Sequence, residues 1–149
     1  MRSLKATKKI ANFEVPWEAA FGYAQAVHVK DTVYLSGQLS HDGQGNLVAP
    51  ATLNEAGKPV DFSTMEQQIR QTYLNAIALL ARFGATLDDV VEETLFVMDV
   101  PAAFVAAGKV RKEMYGTPMP QVASNLIGVS GLAFPEQLVE ITFRAVLDD

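Results

Sequence analysis

The sequence predicts an α+β fold in which two helices lie on one face of a mixed β-sheet. Strand-like segments stand near the two ends of the chain, at residues 33–38 and 138–146, and two helix-like stretches lie between them. A third segment, rich in β-branched and aromatic residues, separates the two helices. Because strand–helix–strand crossovers are right-handed, both helices are expected on the same face of the sheet.

The first predicted elements are two strands joined by a tight turn. The strands are residues 24–29 and 33–37, and Lys30-Asp31-Thr32 forms the turn. A long, polar and glycine-containing connection follows over residues 39–62, with a short additional strand considered near Leu47.

A helix is predicted over residues 64–83. Ser63 and Glu66 have the spacing of a capping box, in which both side chains accept hydrogen bonds from free amides at the start of a helix. Gly84 is suited to the left-handed conformation that often ends a helix. The apolar residues recur at steps of three or four and form one stripe, which consists of Met65, Ile69, Tyr73, Ala76, Leu80 and Phe83.

The second half of the chain adds strands on both sides of a weaker helix. Residues 90–100 are predicted to form a strand with apolar side chains on both faces. Asp99 and Pro101 occupy N-cap and first-turn positions for a helix over residues 102–115. Strands at 122–129 and 138–147 follow. Since two helices cover only one face, a symmetric homo-oligomer is expected to cover the other.

The size and composition are those of one packed domain, residues 1–149. A chain of 149 residues buries roughly two-thirds of its unfolded surface, and 49% apolar residues argue against disorder. The formal charge of −5 makes a nucleic-acid partner unlikely. No apolar run approaches the ~20 residues that span a bilayer, so a cytoplasmic location without membrane contact is predicted. Residues 1–12 are interpreted as a flexible basic tail.

The residue types disfavour several kinds of catalytic site. The absence of cysteine excludes thiolate nucleophiles and cysteine-based metal sites. Residues 128–132 lack the second glycine of a G-x-S-x-G motif. His28 and His41 do not have the spacing of a metal site, and both are interpreted as structural. Gly43 and Gly45 lack the lysine of a phosphate-binding loop, and no cofactor is predicted.

Glu140 is the strongest candidate for chemistry because it interrupts an otherwise apolar strand. A buried carboxylate is costly unless it is paired or hydrogen-bonded. Glu140 is therefore either the structural ion-pair partner of Arg144 or a site residue that orients and deprotonates a water molecule. Gly37 has two interpretations as well: it relieves crowding at a bulge, or it exposes its backbone amide to a ligand.

Other polar and aromatic residues have equally open roles. Tyr23 is either structural or a ligand contact. Trp17 is interpreted as a packing residue of the core or of an interface rather than of a pocket. Four acidic residues are expected to be solvated turn and strand-start residues, namely Asp88, Asp89, Glu92 and Glu93.

Taken together, the order and spacing of several segments resemble the Rid/YjgF family, the reactive-intermediate deaminases that are also called L-PSP endoribonucleases or translation inhibitors. The resemblance covers roughly residues 20–147. It rests on residues 22–27, 34–38, 71–75, Gly84, 88–91, 96–99, Phe104, Pro120 and 138–141.

The resemblance implies a chorismate-mutase-like fold, a homotrimer and three clefts between neighbouring subunits. In the deaminating members such a cleft hydrolyses 2-imino or enamino acids to 2-keto acids and ammonia without a cofactor. Glu140 would then position the attacking water as the catalytic residue. The substrate-binding residues implied for this chain are Tyr23, Ser36, Gly37, Gln38, Ser124 and Asn125.

One departure from the family concerns the arginine that binds the substrate carboxylate. Counting forward from Pro120 places Val122 at its position, and counting back from Leu132 places Ser124 there; residues 120–131 contain no basic residue. We therefore predict a deaminase or hydrolase of small imines or enamines with an altered substrate range. The alternatives are a non-catalytic trimer that binds a small ligand and, third, an endoribonuclease.

Overall fold

In the computed structural model, which describes residues 5–148, six strands form one mixed sheet in the order β1-β2-β3-β6-β4-β5. Only β4 and β5 pair in parallel; the other neighbours are antiparallel. The elements in chain order are β1 (Lys8–Ala11), α1 (Pro16–Phe21), β2 (Ala26–Val29), β3 (Thr32–Gln38), α2 (Met65–Ala81), a 3₁₀ turn (Leu87–Asp89), β4 (Val90–Val97), α3 (Val100–Tyr115), β5 (Ala123–Gly128) and β6 (Val139–Val146).

The core lies between the sheet and the long helices α2 and α3, as the apolar patterns predict. Along β6, Ile141 and Phe143 are buried in this core, whereas Glu140 and Thr142 alternate onto the opposite, partly open face. The α+β class and the mixed sheet are thus confirmed. None of the helices in residues 5–148 has the length and apolar character needed to span a membrane.

The N-terminal segment differs from its prediction. Lys8–Ala11 pairs with Val29–Ala26 as an edge strand, so the flexible tail predicted over residues 1–12 is wrong for these four residues; residues 1–4 lie outside the described part of the chain. The short helix α1 was not predicted because six residues cannot show a helical period. Its local signals are Pro16 in the first turn and Gly22, whose φ of 86° ends the helix.

The helix boundaries confirm some of the predicted signals and contradict another. Gly84 has a φ of 72° and donates a hydrogen bond to the carbonyl of Ala81 at 3.1 Å. Asp99 accepts a hydrogen bond from the Ala102 amide at 3.0 Å, as expected of an N-cap. The predicted capping box of α2 is wrong, because the N-cap is Thr64 and its side chain makes no capping hydrogen bond.

The connection over residues 39–62 is held against α2 by buried amide side chains. Asn75 donates to the carbonyls of Leu39 and His41 at 2.8 and 3.1 Å. The strand considered near Leu47 is reduced to a single bridge with His41. These bonds fix the long connection in place beside α1.

The acidic cluster at the start of β4 is not uniformly solvated, which corrects its interpretation. Glu93 is fully buried on the helix side of the sheet. The Tyr73 hydroxyl donates a hydrogen bond to its carboxylate, and Arg111 Nε donates another at 2.7 Å. Burial raises the pKa of Glu93, while Tyr73 and Arg111 oppose this shift. The other three acidic residues are at least partly exposed.

Candidate active site

A cleft of about 550 Å³ opens where the end of β3 meets the start of β6. Its walls come from α1, the segment after α1, β3, the loop before β6 and β6 itself. The lining residues are Trp17, Phe21, Tyr23, Ser36, Gly37, Leu39, Ala133, Phe134 and Glu140. The site therefore joins the Ser36-Gly37 segment and Glu140, the two features that the sequence placed in one sheet.

Gly37 and Glu140 are in close contact because β3 contains a bulge. The register pairs Leu35 with Phe143 but Gln38 with Ile141, so β3 has one residue more than β6 across this interval. A Cβ atom at position 37 would lie 2.8 Å from Glu140 Cγ and still nearer to the carboxylate. The absence of a side chain at Gly37 thus makes room for Glu140, which confirms its interpretation as relief of crowding.

Glu140 is oriented from the loop before β6 and not by Arg144. Gln137 Nε2 donates a hydrogen bond to Glu140 Oε1 at 3.3 Å. Arg144 contacts Glu92 at 3.4 Å and lies over the ring of Tyr34, 5.7 Å from its centroid. The predicted Glu140–Arg144 ion pair is therefore wrong, and the carboxylate of Glu140 faces the cleft without a cationic partner among the described residues.

Tyr23 lines the cleft and is supported from behind by buried amide side chains. Gln25 Nε2 donates to the Tyr23 hydroxyl at 3.3 Å, and Gln38 Nε2 donates to Gln25 Oε1 at 3.0 Å. Burial raises the pKa of Tyr23, and the carboxylates of Glu18 and Glu140 raise it further, so its hydroxyl keeps its proton at neutral pH. Gln38 is buried behind the wall; its predicted direct contact with substrate is replaced by a supporting role.

The aromatic wall of the cleft comes from α1. Trp17 and Phe21 are four residues apart and share one face of the helix. Glu18 anchors the helix start, since its carboxylate accepts hydrogen bonds from the amides of Phe13 and Glu14 at 2.8 and 3.0 Å. Trp17, interpreted as a core or interface residue, instead forms part of the cleft.

Trp17 is packed from behind by the long connection. His41 is buried and lies edge-on to Trp17 at 5.1 Å, in agreement with its structural interpretation. Gly45 has a φ of 86°, and a Cβ added there would lie 3.2 Å from the indole ring. The connection over residues 39–62 thus supports the Trp17 wall of the cleft.

Ser124 and Asn125 lie on β5, which β4 separates from β6. Ser124 accepts a hydrogen bond from Arg111 Nη2 at 3.0 Å, and Asn125 donates to Thr94 Oγ1 at 3.2 Å. Neither lines the cleft of its own chain. Their contact with a ligand stays a prediction, and it requires the cleft of a neighbouring subunit.

The chemistry available in the cleft is that of one carboxylate in aromatic surroundings. Glu140 is the only lining residue that is charged at neutral pH among the described residues, and no basic side chain joins it. No cluster of three potential metal ligands occurs within residues 5–148. A carboxylate in this position can accept a proton from a water molecule that attacks a bound electrophile.

Comparisons with known proteins identify the family of this chain. The sequence profile of the family described as Endoribonuclease L-PSP matches residues 14–147. The chain belongs to the Rid/YjgF family. Two Rid/YjgF relatives are similar over 74% of this chain. One is a 2-iminobutanoate/2-iminopropanoate deaminase from Dermatophagoides farinae, which is 30% identical over 110 residues, or 74% of its length. The other is the RutC family protein YjgH from Escherichia coli strain K12, which is 30% identical over 112 residues, or 73% of its length.

A solved structure supports the Rid/YjgF fold. A member of the YjgF/YER057c/UK114 family from Mycobacterium tuberculosis superposes with a TM-score of 0.75 over 95% of this chain and 100% of that one, at 22% sequence identity. At this identity the similarity establishes the architecture only. The family profile and the two relatives confirm the predicted resemblance to the Rid/YjgF family.

Proposed function

We propose that this Rid/YjgF protein is a cofactor-independent hydrolase that converts small imines or enamines into carbonyl compounds and ammonia. The observation that carries the proposal is Glu140, a carboxylate that faces the cleft against Gly37 without a cationic partner. The name of the mite relative, a 2-iminobutanoate/2-iminopropanoate deaminase, supports the same reaction type.

The proposed reaction adds water across a carbon–nitrogen double bond. Glu140 accepts a proton from water while the water oxygen attacks the imine carbon. The proton then passes to the nitrogen to give a carbinolamine. As the carbon–nitrogen bond breaks, the hydroxyl group gives up its proton to the leaving nitrogen, and the products are a carbonyl compound and ammonia. A positioned general base of this kind typically contributes about 10²–10⁴ to the rate.

The proposed enzyme is a chorismate-mutase-like homotrimer whose clefts lie between subunits. The open face of the sheet and the edge strand β5 support this assembly, because a monomer would leave their apolar side chains in water. These exposed side chains include Tyr34, Val91 and Ile127. Light scattering on the purified protein should give three times the chain mass of 16.2 kDa.

The direct test is a panel of imines, with and without a carboxylate, offered to the purified trimer. We expect ammonia release above the spontaneous rate for at least one class. Lack of acceleration across the whole panel by correctly assembled protein would refute the proposed reaction.

A Gly37→Ala variant should lose activity through its effect on Glu140. The added methyl group would overlap the Glu140 side chain and force it out of place, and a misplacement of about 1 Å can cost ~10²-fold in rate. The measurement is kcat for imine hydrolysis. Gly43→Ala is the matched control, because a Cβ at Gly43 meets no atom within 4 Å; equal activity of the two variants would contradict the proposed geometry.

A non-catalytic ligand-binding trimer is the second candidate, and it is favoured because no basic residue lines the cleft within residues 5–148 of one chain. It predicts ligands that raise the melting temperature without being turned over. Ribonuclease activity is disfavoured, because a net charge of −5 and a cleft without cations oppose phosphate binding.

A further inference from the structure

Four aromatic rings line the cleft together with the carboxylate of Glu140. Trp17 and Phe134 pack edge-to-face with ring centroids 5.3 Å apart, and Phe21 and Tyr23 form a second edge-to-face pair at 5.6 Å. All four line the same space as Glu140. Aromatic faces attract cations, and the attraction grows when the cation is removed from water.

Within one subunit, the lining of the cleft carries one carboxylate and no basic side chain among the described residues. Tyr23 keeps its proton, so Glu140 supplies the only formal charge among these lining residues. A substrate carboxylate would be repelled by Glu140 and would find no cation in the lining of the same chain to offset the loss of its hydration. A cationic substrate would instead be attracted by Glu140 and by the ring faces.

The nearest candidate cations are engaged elsewhere. Arg144 shares the sheet face of Glu140 but binds Glu92 and covers the ring of Tyr34. Arg111 lies on the helix side of the sheet, where Glu93 and Ser124 accept its hydrogen bonds. Moving Arg111 would leave Glu93 buried without its ionic partner, and neither arginine lines the cleft of its own chain.

We propose that the cleft selects imines that carry an apolar or aromatic group and no carboxylate, and that it binds them as iminium cations. This inference rests on the proposed hydrolase function and adds the substrate class. A cleft of about 550 Å³ has room for a ring-sized group, since pockets of roughly 300–1,000 Å³ hold small molecules.

Protonation of the imine suits both binding and reaction. The iminium carbon is more electrophilic than that of the neutral imine. Glu140 takes one proton from water as the water oxygen bonds to this carbon, and it returns the proton to the nitrogen of the resulting carbinolamine. The carbon–nitrogen bond then breaks, and the hydroxyl proton passes to the departing ammonia. One iminium ion and one water molecule give one carbonyl compound and one ammonium ion.

The selectivity is tested by the binding of three probes, measured by calorimetry on the full chain. Phenyltrimethylammonium and tert-butylbenzene have nearly the same shape and differ in charge, and phenylacetate is an anion that carries the same phenyl ring. We expect the cation to bind about 3–30-fold tighter than the neutral probe, in line with cation–π energies, and the anion to bind weakest. Glu140→Gln should weaken binding of the cation and not of the neutral probe. Equal affinities, or tightest binding of phenylacetate, would overturn the inference.

The aromatic contribution is tested with Trp17→Leu and Phe134→Leu. Each should weaken phenyltrimethylammonium binding by about 3-fold or more. Phe83→Leu is the matched control, because Phe83 packs on His28 and does not line the cleft. Unchanged cation affinity in both cleft variants would contradict an aromatic site; the probe series on the unmodified protein decides the question if a variant does not fold.

A kinetic comparison separates this inference from the proposed function. The imine of acetophenone, which lacks a carboxylate, should have a kcat/KM at least about 10-fold higher than the imine of phenylpyruvate, given the cost of an unpaired buried charge. Turnover with the opposite preference would overturn the inference and leave the hydrolase function standing. Cation-selective binding without turnover of any imine would refute the hydrolase function alone.

Discussion

Glu140→Gln is expected to lower kcat for imine hydrolysis by about 10²–10⁴-fold, the usual contribution of a general base. The glutamine keeps the shape of the side chain and can still contact Gln137, but it cannot accept a proton from water. The measurement is steady-state ammonia release by the purified variant. Its melting temperature and molecular mass should match those of the unmodified protein, because the substitution changes no packing.

Glu136→Gln is the matched control for this prediction. Glu136 lies in the loop before β6, and its backbone carbonyl, not its side chain, accepts the local hydrogen bonds. Its substitution should leave kcat unchanged. If Glu140→Gln retained a similar rate, Glu140 would not be the base; if it lost rate only together with assembly, its role would be structural.

Arg111→Met should strongly lower the stability of the folded chain. Glu93 is fully buried, and the side chain of Arg111 is 21% exposed and lies 2.7 Å from its carboxylate. Removal of one partner of a buried ion pair leaves an uncompensated charge and typically costs about 3–5 kcal/mol. Urea unfolding at neutral pH and fixed protein concentration measures the change in the free energy of unfolding.

The double variant Arg111→Met with Glu93→Leu separates lost packing from the buried charge. It should recover most of the loss, because an apolar pair avoids the desolvation cost altogether. A double variant as unstable as the single one would show that packing by Arg111, not its charge, accounts for the effect.

The loss of stability caused by Arg111→Met should also depend on pH. Burial holds the pKa of Glu93 above its unfolded value, and loss of Arg111 raises it further. The folded variant then binds the Glu93 proton more tightly than the unfolded variant does. The loss of unfolding free energy relative to the unmodified protein is therefore full above the folded pKa of Glu93. It shrinks as the pH falls toward about 4.3, the ordinary pKa of glutamate. If the difference in unfolding free energy between the variant and the unmodified protein did not change with pH, the loss of stability would not come from the charge of Glu93.

Several parts of the fold could be predicted because their signals are local. The apolar stripe from Met65 to Leu80 specifies one buried helix face. Gly84 adopts a positive φ after α2, and Asp99 caps the start of α3, so both act on the backbone next to them. Alternation along β6 likewise places Glu140 on the face opposite Ile141 and Phe143. The spacing of such segments was sufficient to indicate the family.

The wrong predictions concern side chains whose hydrogen-bond or ion-pair partners are distant in sequence. Glu93 resembles its acidic neighbours, yet Tyr73 and Arg111, 20 and 18 residues away, convert it into a buried ion-pair partner. Arg144 lies on the same face of β6 as Glu140, but its side chain contacts Glu92 on the neighbouring strand β4.

The cleft shows the same division between local pattern and tertiary structure. The sequence by itself determined the α+β architecture and the choice of Gly37 and Glu140 as candidates, because periodicity and small-residue positions encode strands, helices and bulges. Its resemblance to known members indicated the family. Only the tertiary structure decided that Trp17 and Phe134 enclose that pair and that Gln38 stands behind it. The physical reason is that side-chain partners are set by sheet register and by the packing of loops, which bring together residues that no local pattern connects.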